Sequence, residues 1–315
     1  MKTILVTGGA GYIGSAVAVT LWRAGHEVVV LDDLSIGQGA VLPSEIKLLQ
    51  GDVCNWAELS DLTAPYDFDV VIHCAAKKAV GESELKPTLY FHTNVLGSLN
   101  ILRLVEKCGI PQLIFSSTAA VYDTRAMTGA VTESSPLGAP NVYGTTKQIV
   151  EEAVRAYART ARLNNYTIFR YFNVAGDIGL RFRDEAAQNV FPLLARAAAT
   201  GSTFSIFGTD YDTRDGTGVR DYIHLGDLVE AHLLALENPI SGIYNLGTGR
   251  GYSVRELIAA FDAALSRPLI VAEAPRRAGD PPSLVADATW AEVNLGWKPR
   301  FTLGDMVEST LATYV

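Results

Sequence analysis

The sequence predicts an α/β fold, a doubly wound parallel sheet with a smaller α/β substrate-binding lobe, and three observations carry that expectation. Short apolar runs alternate with helical stretches through the first half of the chain, the first run feeds a glycine turn that opens a helix, and after Phe172 the alternation loosens into polar segments. Strands alternating with helices make βαβ units. Right-handed crossovers then build a sheet whose ligands lie beyond the carboxyl ends of its strands. The 315 residues, 48% of them hydrophobic, suffice for one large domain or two unequal lobes.

The runs "TILVT", "EVVVLD", "IKLLQGD", "DVVIHCA", "QLIFSS" and "YTIFRYF" each read as buried parallel strands. Residues 1–172, joined by about 221–246, are expected to form the dinucleotide-binding domain. Residues 173–220 and 247–315 should form the substrate lobe, with the segments "NVAGDIGLRFRDEAAQN", "FGTDYDTRDGTGVRDYIH" and "EAPRRAGDPPS" closing over the sheet. A net charge of −8 without a basic block argues against DNA or RNA as a partner, so small ligands are expected. Cys54, Cys74 and Cys108 are too few and scattered for a disulfide framework or a zinc cluster. Residues 1–7 run straight into the glycine turn, and no apolar run reaches 18 residues, so no signal peptide or membrane span is expected and the compartment should be cytoplasmic.

The segment "ILVTGGAGYIGSAVAVTLWRAGHEVVVLDD" reads as strand, glycine turn, helix and strand with an acidic end. Gly8, Gly11 and Gly14 are three apart, and Gly9, Gly11 and Gly14 also satisfy GxGxxG. Either spacing lets backbone approach a pyrophosphate at the positive end of a helix. Asp32, at the end of the next strand, can accept the ribose hydroxyls. Together with Asp33 it would repel a 2′-phosphate, which favours NAD over NADP. This is a Rossmann fingerprint in its proper context. Asp52 can meet the adenine edge or simply cap its turn.

In "NVYGTTKQIVEEAV", Tyr143 and Lys147 are one helical turn apart and share a face. Ser116, Ser117 and Thr118 end the strand "QLIFSS" at the same sheet edge. A phenol titrates near pH 10 unaided, and a neighbouring ammonium and a nicotinamide's positive charge both favour phenolate. Tyr143 could then act as a general base, with Thr118 hydrogen-bonding the reacting hydroxyl and Lys147 holding the ribose and tuning the phenol.

With "KAVGES", "FSSTAAVY", "RYFNVAG", "DGTGVRDYIH", "YNLGTG" and "APRRAGD" added, nearly the whole chain resembles the extended short-chain dehydrogenase/reductase family, and within it the UDP-glucose (UDP-galactose) 4-epimerases. The resemblance implies tightly bound NAD contacted by Gly8, Gly11, Tyr12, Ile13, Gly14, Asp32, Asp33, Asp52, Val53, Cys74, Ala75, Ala76, Lys78, Asn94, Ser116, Tyr143, Lys147 and Tyr171. It implies a UDP-sugar held by Lys78, Thr118, Tyr143, Asn173, Asn189, Phe207, Arg220, Arg277, Asp280 and Leu284. It further implies no metal, and a homodimer built on helices near residues 92–107 and 144–160, where Ile149, Val150, Val154 and Tyr157 could serve the interface or the core of one chain. Arginine forks suit a diphosphate, and a carboxylate suits vicinal hydroxyls.

The sequence departs from that family's pattern in a few places. Thr118 stands for a usual serine, Ala120 removes a small hydroxyl, and segment 174–188 is short and carries Arg181 and Arg183, two cations that could attract an acidic sugar such as a uronate. Leu284 falls where bulk decides whether an N-acetyl group fits at C2, and implies some turnover of N-acetylated sugars. The rival readings are a 4,6-dehydratase, an alcohol dehydrogenase or ketoreductase that releases its cofactor, and a non-catalytic NAD sensor. Ala119 and Ala120 argue against the first, because alanine cannot move a proton.

Overall fold

The computed structural model describes residues 1–126, 129–183, 189–277 and 279–314. The six expected strands all form: β1 (Thr3–Thr7), β2 (Glu27–Asp32), β3 (Lys47–Gln50), β4 (Val70–His73), β5 (Gln112–Thr118) and β6 (Asn165–Tyr171). After β7 (Asn173–Ala175), β8 (Phe204–Phe207) and β9 (Val219–His224), a further strand β10 (Gly242–Leu246) returns to the large sheet. It gives the order β10-β6-β5-β4-β1-β2-β3, parallel throughout. Strand order reverses between β1 and β4, so the crevice between their carboxyl ends is the switch point at which such sheets bind ligands.

The helices cover both faces because the inner strands are apolar on both sides, whereas β3, expected to be buried, is an edge strand with only Leu49 buried. Along β1, Ile4 and Val6 join one core and Leu5 the other. The first face carries α1 (Tyr12–Arg23); the second carries α2 (Trp56–Thr63) and, beyond the short α3 (Val80–Leu85) and α4 (Pro87–Tyr90), the pair α5 (Gly97–Cys108) and α6 (Val142–Arg159). Between α4 and α5 the chain takes a wide π-type turn, Phe91–Leu96, a form that recurs at functional sites. Nothing in the sequence pattern announced it.

Residues after Phe172 divide between the sheet and a smaller lobe. Helix α7 (Val190–Thr200) belongs to the lobe, whereas α8 (Leu225–Glu237) packs with the large sheet's first core. Strand β9 forms a small sheet with β7, β11 (Gly251–Ser253) and β13 (Ser283–Leu284), and β8 pairs with β12 (Val271–Ala274). Helices α9 (Val254–Leu265) and α11 (Leu303–Tyr314) complete the lobe's own core around Phe191, Phe261 and Met306. Helix α10 (Thr289–Leu295) instead contributes Ala291 and Leu295 to the first core of the large sheet.

Helix α6 positions the expected reacting groups. Its N-cap Asn141 accepts a hydrogen bond from Gly144 N at 2.8 Å, starting the helix just before Tyr143. A Cβ on Gly144 would lie 2.2 Å from the Ala120 carbonyl, so only glycine lets the helix sit this close to the turn after β5. Val150 and Val154 are buried against Ile101, Val105 and Ile168, whereas Ile149 is exposed. Two of the residues named for an interface therefore belong to the chain's own core.

Candidate functional site

The glycine turn joins β1 to α1 at the switch point. Gly8 has φ +68°, and a Cβ on Gly14 would lie 2.1 Å from the Gly8 carbonyl, so the turn closes only with a bare backbone at these positions. Gly11 caps α1 without a side chain, leaving the first amides of the helix directed at the crevice. Asp32 is buried at the end of β2, accepting Ala10 N and Leu34 N, both at 2.9 Å, and burial holds its carboxyl above the usual range. Asp52 accepts Cys54 N at 2.8 Å as a turn cap and also lines the same cleft.

That cleft encloses about 1140 Å³ of unfilled space continuous with solvent. Its walls hold all the residues expected to contact a dinucleotide except Asn94. Asn94 acts one step away: its amide braces both backbone groups of Lys77, at 2.8 and 3.0 Å, and donates to Thr146 on α6 at 3.0 Å. The walls also contain Lys77, Ser35, Ile36 and Phe182, which the sequence reading missed. Phe182 packs on Tyr12 with ring centroids 5.8 Å apart, so the loop after β7 borders the cleft from the substrate-lobe side. A bare-backbone turn at an uncapped helix start, a buried carboxylate and an elongated cleft are the donor set a dinucleotide requires.

At the inner end, Tyr143, Lys147, Ser116 and Tyr171 face the cleft. The Thr118 hydroxyl hydrogen-bonds the Tyr143 phenol and also accepts Ala120 N at 3.2 Å. The Lys147 ammonium is buried and donates to the Ser116 carbonyl at 2.7 Å, with the Phe115 ring centroid 4.8 Å away. These contacts correct one expectation. In the chain itself burial pushes the Tyr143 phenol up to about 12, only the Thr118 bond opposes it, and Lys147 does not enter. Ser116 and Tyr171 join hydroxyls at 3.0 Å, and Tyr171 continues to His232 at 2.8 Å, a buried relay that fixes this wall. The hydroxyl of Ser117, which also borders the cleft, donates to Glu151.

Of the expected substrate residues, Lys78, Thr118 and Tyr143 belong to the large sheet's side and the other seven lie in the smaller lobe. Register sets Leu284 beside Arg220, whose guanidinium lies 3.7 Å from Asp280. Arg277 stacks on Phe207 at 4.0 Å. Asn173 donates to the Asp221 carbonyl at 3.0 Å, and exposed Asn189 begins α7 with no capping bond of its own. Tyr211 was missed: it is buried beside Arg220 and Asp280, and its hydroxyl has no hydrogen-bond partner among the described residues. The two extra loop cations do not line the cleft. Arg183 donates to the Thr313 carbonyl at 2.5 Å and lies over Tyr314, while Arg181 is exposed; residues 184–188 of this loop lie outside the described residues.

The sequence profile of the NAD dependent epimerase/dehydratase family matches residues 4–247, from the first strand of the large sheet to just past the last. The chain belongs to that family. The UDP-glucose 4-epimerase of Corynebacterium glutamicum is 41% identical to it over 317 residues, covering 98% of this chain and 94% of that protein. A crystal structure of UDP-glucose 4-epimerase from Bifidobacterium longum in complex with NAD+ and UDP is similar with a TM-score of 0.93 at 38% identity, over 98% of this chain and 97% of that one. The UDP-Glc/GlcNAc 4-epimerase of Campylobacter jejuni is similar with a TM-score of 0.84 at 35% identity, over 100% and 99% of the two chains.

In this NAD dependent epimerase/dehydratase, the buried Lys147 amine carries a testable cost. Burial lowers it from 10.5 to about 8. Between those values the unfolded chain holds a proton that the folded chain has shed, so this group makes stability rise with pH across that window, and its penalty is full below it. Replacing Lys147 by methionine should therefore stabilise the cofactor-stripped protein at pH 7 by up to about 3 kcal/mol, an advantage that fades toward pH 10.5. Urea unfolding across that range checks it; a methionine variant less stable at pH 7 would contradict it.

Proposed function

We propose that the protein interconverts a UDP-hexose and its 4-epimer, UDP-glucose and UDP-galactose, through a transient 4-keto sugar. The observation that carries this reading is one cleft that joins a dinucleotide cradle to Tyr143, itself hydrogen-bonded by Thr118, in a chain whose smaller lobe offers an arginine–aspartate pair. When bound, NAD+ supplies a hydride acceptor at the inner end of the cleft that can return the hydride within the same turnover. Its positive charge favours the Tyr143 phenolate that burial alone opposes. Tyr143 then takes the proton of the sugar 4-hydroxyl and gives it back, Thr118 orients that hydroxyl, and Lys147 holds the ribose.

The ketone must expose its other face before the hydride returns. That requires a firm hold on the nucleotide and a loose one on the sugar. Arg220, Arg277 and the Tyr211 hydroxyl serve the diphosphate and uridine, with Asp280 on the ribose hydroxyls. Apolar Leu284, Ala119 and Phe172 form one cluster, which leaves the sugar side smooth. An acidic sugar has no support from Arg183, whose guanidinium is engaged at the carboxyl end of α11. Exposed Leu96, Leu99 and Ile149 support a homodimer through α5 and α6. Residues 1–172 with about 221–246 serve as the cofactor domain, to which α10 also packs, and the rest serves as the substrate lobe. No helix among the described residues is long and apolar enough to cross a membrane, in keeping with a cytoplasmic enzyme.

Proton NMR of UDP-galactose incubated with the purified protein, no NAD added, should show UDP-glucose growing to a stable mixture. An unchanged spectrum after NAD+ is supplied would overturn the reading. Leucine at 284 is smaller than tyrosine, so UDP-N-acetylglucosamine should also turn over, and Leu284→Tyr should abolish that activity while sparing UDP-galactose. Absence of any N-acetyl turnover in the unaltered protein would contradict the role given to Leu284.

A further inference from the structure

Glu151 lies on α6 one turn beyond Lys147 and two beyond Tyr143, and no step above uses it. Its ion pair with Arg170 of β6 leaves each side chain only 2% exposed. The carboxylate accepts Arg170 Nε at 3.0 and 3.2 Å, Arg170 Nη2 at 2.6 Å and the Ser117 hydroxyl at 2.5 Å. The remaining guanidinium nitrogen donates to the Tyr122 hydroxyl at 3.0 Å and the Glu133 carbonyl at 3.1 Å. Burying such a pair carries a heavy desolvation penalty, and well-packed apolar residues usually serve a fold as well. The pair therefore calls for a reason beyond stability.

Its neighbours supply one. Sheet register pairs Ser117 with Arg170 and Thr118 with Tyr171, so the ionic cluster occupies the row directly behind the reacting row. We propose that Glu151 is a positioning residue for the 4-epimerisation, on which this inference rests: clamped by Arg170 and Ser117, its carboxylate seats the catalytic face of α6 on β5 and β6 and keeps the adjacent Lys147 ammonium charged.

Every element around Lys147 bears on that charge. His73 and Cys74 face it from the end of β4, Phe115 and the Ser116 carbonyl from β5, and Tyr143 and Glu151 from α6, with Arg170 of β6 behind Glu151. Glu84 of α3 meets α6 only at its first turn, on Val142 N, and Glu82 is engaged by Lys86 and Tyr90. Burial drives the Lys147 amine down, and Cys74 and Glu151 oppose it. The Cys74 thiol is itself pushed up by burial and His73 is held neutral, so at working pH Glu151 is the anion that counts.

The test is Glu151→Gln in the full-length protein, read in two ways. The pH dependence of unfolding, taken as the difference from the same background carrying Lys147→Met, reports the amine without any need for catalysis. Its inflection should fall by about one pH unit or more. The kcat for UDP-galactose at pH 7.5 should drop about tenfold with KM held within about twofold, and the alkaline limb of the profile should move down with the inflection. Glutamine leaves Arg170 without its counter-charge, so Glu151→Met/Arg170→Met, which removes both charges, is measured alongside. An inflection at the unaltered value in a folded variant overturns the proposal. So does a rise in KM with kcat kept, and so does failure of the apolar pair to fold, since the pair would then be a requirement of the fold. If the unaltered protein epimerises nothing, the unfolding inflection still reads the effect of Glu151 on Lys147, which separates that failure from this one.

Discussion

Holding a buried lysine and a half-buried tyrosine together at the junction of α6 and β5 is the constraint around which this molecule is arranged. Water would weaken the effect of either group; the junction restricts it, and the chain must then satisfy the polar atoms that it strips of water. The Ser116 carbonyl takes the ammonium, Thr118 takes the phenol, and Gly144 lets the helix approach closely enough for both. Coulomb interactions strengthen in such a site, so a charge arriving with the cofactor acts on the phenol more strongly than it would in water. The folded chain by itself favours a neutral phenol, and the positive charge of a bound cofactor would oppose that preference.

The surroundings of the cleft tie its parts to one another and to the substrate lobe. Asn94, placed by the wide turn before α5, braces the backbone of Lys77 and reaches Thr146 on the catalytic helix, so one side chain ties the middle of the cleft to its reacting end. On the outer side, Gln38 from the loop after β2 donates to the Arg183 carbonyl, and Tyr12 donates to the Gly176 carbonyl. With Phe182 on Tyr12, these contacts lay the loop after β7 across the glycine turn. Contacts between the two lobes thus border the site from above while the sheet edge forms its floor.

The sequence was most informative where local patterning and tertiary structure agree. Six strands, five of them buried and edge strand β3 largely exposed, the glycine turn, Asp32 and the Tyr143–Lys147 pair could all be read from apolar runs and fixed spacings, because the inner strands of a parallel sheet are apolar on both faces and a helix puts residues four apart on one side. Strand β10 was expected only within a broad stretch, and Tyr211, Phe182 and Lys77 were not foreseen at all. Each is placed by contacts between segments far apart in the chain, which no local period records. The direction of Lys147 belongs to the same class: spacing puts it on the face of Tyr143, and only packing against Ser116 turns its ammonium toward the sheet. Likewise Arg183 is a loop cation by sequence and a partner of α11 by structure.

The most direct measurement is the titration of the Tyr143 phenol itself, by carbon NMR of protein labelled at the tyrosine ring carbon bearing oxygen, with Tyr143→Phe to assign the signal. The account predicts a phenol that stays protonated beyond pH 10 in cofactor-stripped protein and ionises near neutrality once NAD+ is added. A signal that titrates near pH 10 in both forms, or near neutrality without the cofactor, would contradict it.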